Sequence, residues 1–260
     1  MDFECIRLER VGDVARIVLN RPERLNACPP HMAIEISDAL SLLGDARALL
    51  VTGEGRAFCS GADLAGAGGA PISPGAGSYK SLTEAYNPMI LKFSRLPIPV
   101  VMAVNGPAAG VGCPLALAGD FTLAGRSAYF LQAFVNIGLV PDGGSSWILP
   151  RLIGKARALQ MMMLGEKISA EKAEDWGLIY KCVDDAALAD EAMALAERLA
   201  AGPTVALGAM RQVMAKGLES DLSSTLLMEA EAQQRAGDSA DAAEGIAAFL
   251  EKRKASFAGK

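Results

Sequence analysis

Hydrophobic residues in most of the chain fall into short blocks with two different spacings, separated by turns rich in glycine, proline and asparagine. Residues 3–10 and 13–20 have the pattern of two short strands around a Gly-Asp turn, which predicts a hairpin. Residues 31–43 have helical spacing that stops at Gly44, and residues 46–53 form a short apolar strand. The alternation predicts an α/β core with several roughly parallel strands.

The same order of strand, turn and helix recurs in the middle of the chain. Residues 97–104 predict a buried strand that leads through a glycine-rich turn into a helix at 114–119. Residues 53–78 are rich in small residues and predict a long loop, a feature that often serves as a functional lid. Further strands are predicted at 120–125 and 129–134, and further helices at 81–95 and 143–154.

Strand signals end near residue 184, and the rest of the chain predicts only helices. Amphipathic spacing covers four stretches, which are 184–200, 203–217, 221–236 and 239–254. The apolar faces of these helices need a surface to cover them, either the chain's own core or another subunit. We expect a core domain over 1–200 and a C-terminal helical region over 201–260.

Length and composition exclude several classes of protein. The 260 residues are 51% hydrophobic and 21% charged, which excludes a disordered or fibrous chain. The 25 basic and 30 acidic side chains give a net charge of −5, the opposite of the basic footprint that nucleic-acid binding requires. Only one histidine is present, His31, which argues against a His-ligated metal site or a Ser-His-Asp triad.

Cysteine usage and the start of the chain predict a cytoplasmic protein. Because the cysteines are odd in number, scattered and without a CxxC pair, we expect neither a disulfide framework nor a structural zinc site. The first residues carry charges where a signal peptide needs an apolar stretch. No run approaches the roughly 18 apolar residues that a membrane-spanning helix needs.

Three glycine-rich turns follow predicted strands and are candidates for chemistry. They cover residues 58–63, 105–112 and 140–144. Glycine lets the backbone approach a ligand closely, and two such turns side by side could direct two N–H groups at one oxygen, as in an oxyanion hole. The same glycines could serve only to allow tight strand-to-helix turns, and the spacing taken alone favours that simpler explanation.

Among the carboxylates, Asp142 has the strongest case for a catalytic role. It lies in the third turn beside the apolar residues Leu139, Val140 and Trp147, where burial would raise its pKa and make proton transfer feasible. Pro-Asp-Gly is also an ordinary turn signal that needs no chemistry.

Other ionisable residues have weaker cases. We expect Asp120 to be structural at a strand start, Asp63 to cap the segment that follows it, and His31 to be an ordinary residue at a helix N-terminus. Glu84 and Tyr86 are candidates for a second side chain that completes a site.

Six ordered segments resemble the crotonase (enoyl-CoA hydratase/isomerase) superfamily over nearly the full length of the chain. Six segments at family-like spacing are a far more specific signal than any single glycine turn. They are LNRPERLNA (19–27), RAFCSGADL (56–64), AVNGPAAGVG (103–112), GLVPDGG (138–144), ISAEKAEDWGLI (168–179) and EGIAAFLEKRKASFAGK (244–260).

The resemblance implies an α/β fold, a crotonase-like spiral of repeated ββα units with a C-terminal α-helical trimerisation region. Such trimers usually pair into hexamers. It also implies a coenzyme A thioester substrate and no separate cofactor, because coenzyme A is part of the substrate. No nucleic acid or membrane partner is expected. By motif match, the N–H groups of Ser60 and Val111 would hold the thioester oxygen.

The resemblance also implies where the substrate would bind. Segments 24–27 and 60–64 would cradle the adenine and pantetheine end, and the C-terminal residues would reach the nucleotide of the same or a neighbouring subunit. Apolar side chains would supply a dry pocket, with the 65–80 loop as a lid. The implied binding residues are Arg24, Leu25, Ala27, Ala62, Asp63, Leu64, Gly110, Phe134, Leu139, Trp147, Phe257 and Lys260.

Departures from the family pattern bear on the reaction type. Hydratases of this family carry two glutamates, and the matching positions here hold Pro114 and Phe134, which cannot transfer a proton. Asp142 stands where isomerase-type members keep an acidic residue. The PDGG turn and the following SSWILPRLIG resemble the isomerase subgroup of phenylacetate catabolism, which acts on 2-(1,2-epoxy-1,2-dihydrophenyl)acetyl-CoA and shifts 3-enoyl-CoA double bonds to the 2-position.

The resemblance therefore favours an acyl-CoA isomerase with Asp142 as acid and base. Other chemistry stays open, namely weak enoyl-CoA hydration with Asp142 and water, or another lyase or hydrolase reaction on acyl-CoA. A non-catalytic acyl-CoA-binding protein is a further alternative. Crotonyl-CoA absorbance and solvent deuterium exchange at the α-carbon would separate these possibilities.

Overall fold

A computed structural model describes residues 3–63 and 75–260, and the strands in this part form a six-stranded and a three-stranded sheet. In chain order the strands are β1 (Ile6–Val11), β2 (Val14–Leu19), β3 (Ala48–Gly53), β4 (Val100–Val104), β5 (Ala108–Ala109), β6 (Phe121–Gly125), β7 (Tyr129–Leu131), β8 (Ile168–Ser169) and β9 (Lys181–Val183). The helices are α1 (Pro30–Ala39), α2 (Ala76–Ser81), α3 (Asn87–Arg95), α4 (Gly112–Ala116), α5 (Ser145–Leu164), α6 (Ala170–Asp175), α7 (Leu188–Ala200), α8 (Thr204–Gly217), α9 (Leu222–Gly237) and α10 (Ala240–Glu251).

The larger sheet has the strand order β1-β2-β3-β4-β6-β9. β1 and β2 form the predicted antiparallel hairpin, and each later pair of neighbours is parallel. Parallel neighbours have their carboxyl ends at one edge of a sheet. The chain segments that follow β3 and β4 therefore leave the sheet side by side, and these segments contain the first two glycine-rich turns.

Repeated ββα units build the core, as the resemblance implies. The order strand, strand, helix occurs in β1-β2-α1, β4-β5-α4 and β6-β7-α5. In the last two units the first strand joins the larger sheet and the second joins the smaller one. β5 pairs in parallel with β7, and Ala109 lies opposite Leu131. The smaller sheet thereby fixes the second glycine-rich turn at its β5 end.

Strand residues alternate between two hydrophobic cores. On β4, Val100, Met102 and Val104 face the main core, whereas Val101 and Ala103 face the second. Helix α7 covers the second core with Leu188, Ala192, Ala196 and Ala200. Because β4 is buried on both faces, its sequence is an unbroken apolar run.

Several elements differ from the predictions. The helix predicted at 81–95 is part of a longer helical stretch, 76–95, whose middle turn at Leu82–Tyr86 is π-helical. The strand predicted at 129–134 ends at Leu131, because a 3₁₀ turn begins at Ala133. α5 runs for 20 residues and is interrupted at Gly154, which has φ 72°.

The C-terminal helices begin in close contact with the core. The Arg211 guanidinium on α8 pairs with the Asp120 carboxylate at 2.6 Å and donates to the Leu96 carbonyl at 2.6 Å. Asp120 also accepts the Val100 amide at 2.7 Å, so its predicted structural role is confirmed. The division into domains 1–200 and 201–260 stays a prediction.

The five cysteines are free thiols. Among the helices in the described residues, none is long and apolar enough to cross a membrane.

Candidate active site

The first two glycine-rich turns, 58–63 and 105–112, lie backbone against backbone. The Ala109 amide donates to the Cys59 carbonyl at 2.9 Å. Glycine is required at position 112, because a Cβ atom there would lie 2.2 Å from that same carbonyl oxygen. The structure therefore brings together the two turns that sequence analysis singled out.

The two predicted oxyanion donors differ in their present partners. Val111 is buried, and its N–H makes no hydrogen bond within residues 3–63 and 75–260. The Ser60 N–H donates to the Leu25 carbonyl at 3.1 Å. Buried amides without a partner are rare in folded proteins. The Val111 amide is thus available to a ligand oxygen, whereas the Ser60 amide would have to be shared.

The third turn packs onto the second. Gly143 has φ 58°, and a Cβ atom there would lie 2.7 Å from Pro114 Cγ and 3.6 Å from Val111 Cγ2. The bulk of any other side chain would separate the two turns. This contact packs the third turn, which carries Asp142, against the side chains of Val111 and Pro114 at the start of α4.

Asp142 is a half-buried carboxylate without a hydrogen-bonding role. Its Oδ1 is buried and has no hydrogen-bond partner in the described part of the chain. Loss of hydration raises the pKa of the Asp142 carboxyl to about 6, because the charged form is removed from water and receives no donor in return. A carboxylate with a pKa close to neutrality is suited to act as a general base and then as an acid.

The turn that carries Asp142 is fixed through its backbone. The Asp142 carbonyl accepts hydrogen bonds from the Ser145 amide at 3.0 Å and from the Ser145 hydroxyl at 2.8 Å. Both bonds hold the first turn of α5 to the main chain of the Pro-Asp-Gly-Gly segment. The side chain is therefore placed by a rigid backbone while its own oxygens stay unused.

The apolar residues next to the acid are less buried than expected. Leu139, Val140 and Trp147 are 41%, 81% and 38% exposed. Gly138 ends the preceding 3₁₀ turn in the left-handed conformation, and the chain then runs along the surface. The Arg151 guanidinium lies 4.0 Å above the Trp147 ring. The predicted burial of Asp142 and its raised pKa are confirmed, and the contact of these neighbours with substrate stays a prediction.

The positions of the two hydratase glutamates are apolar and buried in the structure. Phe134 lies in the 3₁₀ turn Ala133–Ile137, and Pro114 lies inside α4. The Pro114 ring lies against Gly143 and therefore fills the space between the second and third turns. The acidic residue of the third turn, which packs against Pro114 and Val111, is Asp142.

The two segments predicted to cradle coenzyme A are adjacent. The Cys28 amide donates to the Gly61 carbonyl at 2.8 Å, and the Asp63 amide donates to the Cys28 carbonyl at 3.3 Å. Leu64 and residues 65–74 of the predicted lid lie outside the described residues. The predicted binding residues that remain half-buried or exposed along these segments are Arg24, Leu25, Ala27 and Ala62. Gly110 is buried, and its amide donates to the Leu131 carbonyl at 3.0 Å.

A polar network that sequence analysis missed holds these segments. Arg21 Nη2 lies 2.9 Å from Asp63 Oδ2, and the Arg24 guanidinium lies 3.7 Å from Asp63 Oδ1. Asn26 is fully buried with φ 52°, and its side chain donates to the Ala57 carbonyl at 2.8 Å. Asparagine tolerates the left-handed backbone region better than most residues. The asparagine at position 26 is therefore the sequence feature that could have predicted this turn. The segment that Asp63 was predicted to cap lies outside the described residues.

The other ionisable candidates are occupied elsewhere. Glu84 is exposed, and the Tyr86 hydroxyl donates to the Cys28 carbonyl at 2.6 Å. His31 lies in the first turn of α1, as predicted, with Nε2 3.0 Å from the Cys5 sulfur. In the part of the chain that is described, no three His, Cys, Asp or Glu side chains are grouped as metal ligands.

The C-terminal residues lie at the opposite end of β3 from the first glycine-rich turn. Arg47 donates to the Phe257 carbonyl at 3.1 Å, and the Asp241 amide donates to the Lys260 carbonyl at 3.0 Å. Arg47 precedes β3 and the first turn follows it, so six residues of strand, about 20 Å, separate the two places. The contact of the tail with the nucleotide of the same or a neighbouring subunit stays a prediction.

Comparison with known proteins identifies the family. The family model described as enoyl-CoA hydratase/isomerase matches residues 9–260. The chain belongs to the enoyl-CoA hydratase/isomerase family. The crystal structure of an enoyl-CoA hydratase from Polaromonas sp. JS666 superposes on 97% of this chain and 99% of that one, with a TM-score of 0.91 and 33% identity. The crotonase fold implied by the sequence segments is thus confirmed.

Relatives within the enoyl-CoA hydratase/isomerase family carry the names of two reactions. A 1,2-epoxyphenylacetyl-CoA isomerase of Escherichia coli K12 is 43% identical over 263 residues, with full coverage of both chains. A probable enoyl-CoA hydratase of Rhodobacter capsulatus is 45% identical over 261 residues, again with full coverage. The chain is an enzyme of this isomerase and hydratase class, and the choice between the reactions depends on its site chemistry.

Proposed function

We propose that this enzyme is an acyl-CoA isomerase in which Asp142 is the single acid and base. The observation that supports the proposal is a partly buried Asp142 carboxylate in a turn that packs against Val111, with the Asp142 Oδ1 atom and the Val111 amide both unpaired within the described residues. Isomerisation needs one group that takes a proton and returns it to another carbon. Hydration also needs an activated water molecule, and Pro114 and Phe134 stand where hydratases carry the glutamates for that task.

The first part of the mechanism is polarisation of the thioester. Its carbonyl oxygen would accept the Val111 N–H, and the Ser60 N–H would be shared between that oxygen and the Leu25 carbonyl in a three-centre bond. Each preorganised donor of this kind stabilises a developing oxyanion by about 3–4 kcal/mol. The carbonyl would therefore withdraw electrons from the α-carbon and acidify its protons.

The second part is proton transfer by Asp142. The carboxylate takes an α-proton from a 3-enoyl thioester, and the C–H electron pair moves into a dienolate that the amides hold. The protonated carboxyl then returns the proton to the γ-carbon, and the double bond moves to the 2-position. Asp142 ends as a carboxylate, so the cycle consumes neither water nor a redox partner.

A ring-epoxide phenylacetyl thioester is a second candidate substrate. The 43% identity to the 1,2-epoxyphenylacetyl-CoA isomerase of Escherichia coli K12 favours it. The same enolate and the same carboxyl group would serve, with Asp142 assisting ring opening. The half-exposed apolar residues Leu139 and Trp147 are the side chains we propose to contact the acyl group.

The test is a panel of aliphatic 3-enoyl, 2-enoyl and arylacetyl coenzyme A esters in deuterated water, analysed by mass shift. We expect conversion of the 3-enoyl esters with deuterium incorporation, and little loss of crotonyl-CoA absorbance. Hydration of crotonyl-CoA at a rate equal to isomerisation would identify a hydratase instead. Binding of every ester without α-carbon exchange would identify a non-catalytic acyl-CoA-binding protein.

We also propose that the enzyme works as a homotrimer or as a dimer of trimers. Large apolar side chains on the last three helices are exposed, among them Met214 at 67%, Leu226 at 55% and Phe249 at 81%. α8 and α9 border an apolar groove of about 750 Å³. Monomeric proteins rarely expose contiguous apolar patches of more than a few hundred Å². Sedimentation equilibrium should give at least three copies, and a stable monomer at micromolar concentration would exclude this assembly.

A further inference from the structure

A short hydrogen bond connects the helical stretch 76–95 to the segment predicted to cradle the thioester. Tyr86 Oη donates to the Cys28 carbonyl oxygen at 2.6 Å. Tyr86 is 5% exposed and Cys28 is fully buried. Water cannot compete at this depth, and the distance is at the short end for hydroxyl donors. The bond is therefore a firm restraint between two separate parts of the chain.

Cys28 is the residue through which this restraint reaches the first glycine-rich turn. Its carbonyl also accepts the Asp63 amide, and its amide donates to the Gly61 carbonyl. Three residues earlier, the Leu25 carbonyl accepts the Ser60 amide. The register between residues 25–28 and 60–63 thus sets where the Ser60 N–H points.

The helix is built so that a tyrosine faces Cys28. Tyr86 is the last residue of the π-helical turn Leu82–Tyr86. Such a turn inserts an extra residue and shifts the face of the helix by about 100°. Without the insertion, a different side chain would face the Cys28 carbonyl. π-Turns are less favourable than α-helical turns and are frequent at functional sites.

The chemical state of Tyr86 suits a fixed donor rather than a proton carrier. Burial raises the pKa of the Tyr86 phenol far above its ordinary range, and the nearby Asp142 carboxylate acts in the same direction. The phenol therefore keeps its proton while Asp142 titrates. Its hydrogen bond to Cys28 persists over the whole pH range in which the enzyme would work.

We propose that Tyr86 is a positioning residue that fixes the Ser60 amide, through Cys28 and the 60–63 turn, for sharing with the thioester oxygen. The inference rests on the proposed function. It predicts that Tyr86 affects the rate of turnover, because a misdirected Ser60 N–H would reduce the stabilisation of the enolate more than that of the bound ester. Binding of the coenzyme A ester would be left nearly unchanged.

The test compares Tyr86→Phe with Tyr180→Phe, a control next to β9 whose side chain is 55% exposed. Tyr86→Phe should lower kcat for a 3-enoyl-CoA by about tenfold and change KM by less than about twofold. The affinity for saturated decanoyl-CoA, which cannot isomerise, should be unchanged. The pH inflection assigned to Asp142 should remain, and Tyr180→Phe should behave as the wild type.

A second measurement does not depend on activity. Amide hydrogen exchange in the ligand-free protein should be at least about tenfold faster at Ser60 and Asp63 in Tyr86→Phe than in Tyr180→Phe. A wild type without isomerase activity would contradict the proposed function. The exchange result would still show whether Tyr86 positions the Ser60 amide. Unchanged exchange overturns the inference. So does a higher KM with constant kcat, or loss of the Asp142 inflection, which would make Tyr86 a catalytic acid.

Discussion

Replacement of Asp142 by asparagine should stabilise the folded chain at alkaline pH, although it removes the proposed base. Asp142 Oδ1 is buried and has no donor among the described residues, and the pKa of the carboxyl is about 6. Asparagine has nearly the same shape and leaves the same atoms unpaired. The substitution therefore removes the charge and little else.

The size of the effect follows from the two pKa values. An unfolded aspartate titrates near 3.9, and the folded value of about 6 lies roughly two units higher. At about 1.4 kcal/mol per unit, the buried charge costs at most about 3 kcal/mol of folding free energy. Because the folded state binds the proton more tightly, stability is greatest below about pH 4 and falls as the pH rises towards about 6. The cost is then constant at higher pH.

The assay is urea unfolding of Asp142→Asn and the wild type at pH 4.5 and pH 8, at equal protein concentration. We expect the variant to gain up to about 3 kcal/mol at pH 8 and much less at pH 4.5. Asp45→Asn is the matched control, because the Asp45 side chain is 99% exposed. An equal difference at the two pH values, or a less stable Asp142→Asn at pH 8, would refute the reasoning that the charge is uncompensated.

Three further predictions concern the site. Because the base must be ionised, kcat/KM for isomerisation should rise with pH through about 6, and a flat profile from pH 5 to 8 would contradict the role of Asp142. Gly112→Ala should reduce turnover at least about 100-fold, because its Cβ would lie 2.2 Å from a backbone oxygen of the first turn. Gly237→Ala, with nothing within 4 Å, is its control, and equal activity of the two variants would count against the close approach. Asp63→Asn should lower the unfolding free energy by about 3 kcal/mol by breaking a buried ion pair, and denaturant curves that coincide with the wild type would exclude that pair as a stabilising contact.

Hydrophobic periodicity was sufficient to predict the long elements of the fold. β1 to β4 each span five or six residues, enough for the alternation or the continuous apolar run to be visible. β5, β8 and β9 have two or three residues, and their pairing depends on distant partners. The π-turn within residues 76–95 leaves no mark in the spacing. Short and irregular elements were therefore the ones that the sequence could not predict.

The site was predictable in its backbone and much less so in its side chains. Glycine patterns and the family resemblance marked the three turns and Asp142. The burial of Asp142 was predicted, but the exposure of its neighbours was not, and Val140 is 81% exposed. The pair of Arg21 with Asp63 joins residues 42 apart, and Tyr86 reaches Cys28 across 58. Such contacts depend on the tertiary fold, and no local pattern encodes them.

The most direct test of the central claim is the turnover of a 3-enoyl-CoA by Asp142→Asn in deuterated water, with decanoyl-CoA binding as the measure of an intact site. A single acid and base predicts that isomerisation and α-proton exchange both fall by at least about 1000-fold while binding is unchanged. Activity and exchange retained within about tenfold of the wild type would show that another group moves the proton.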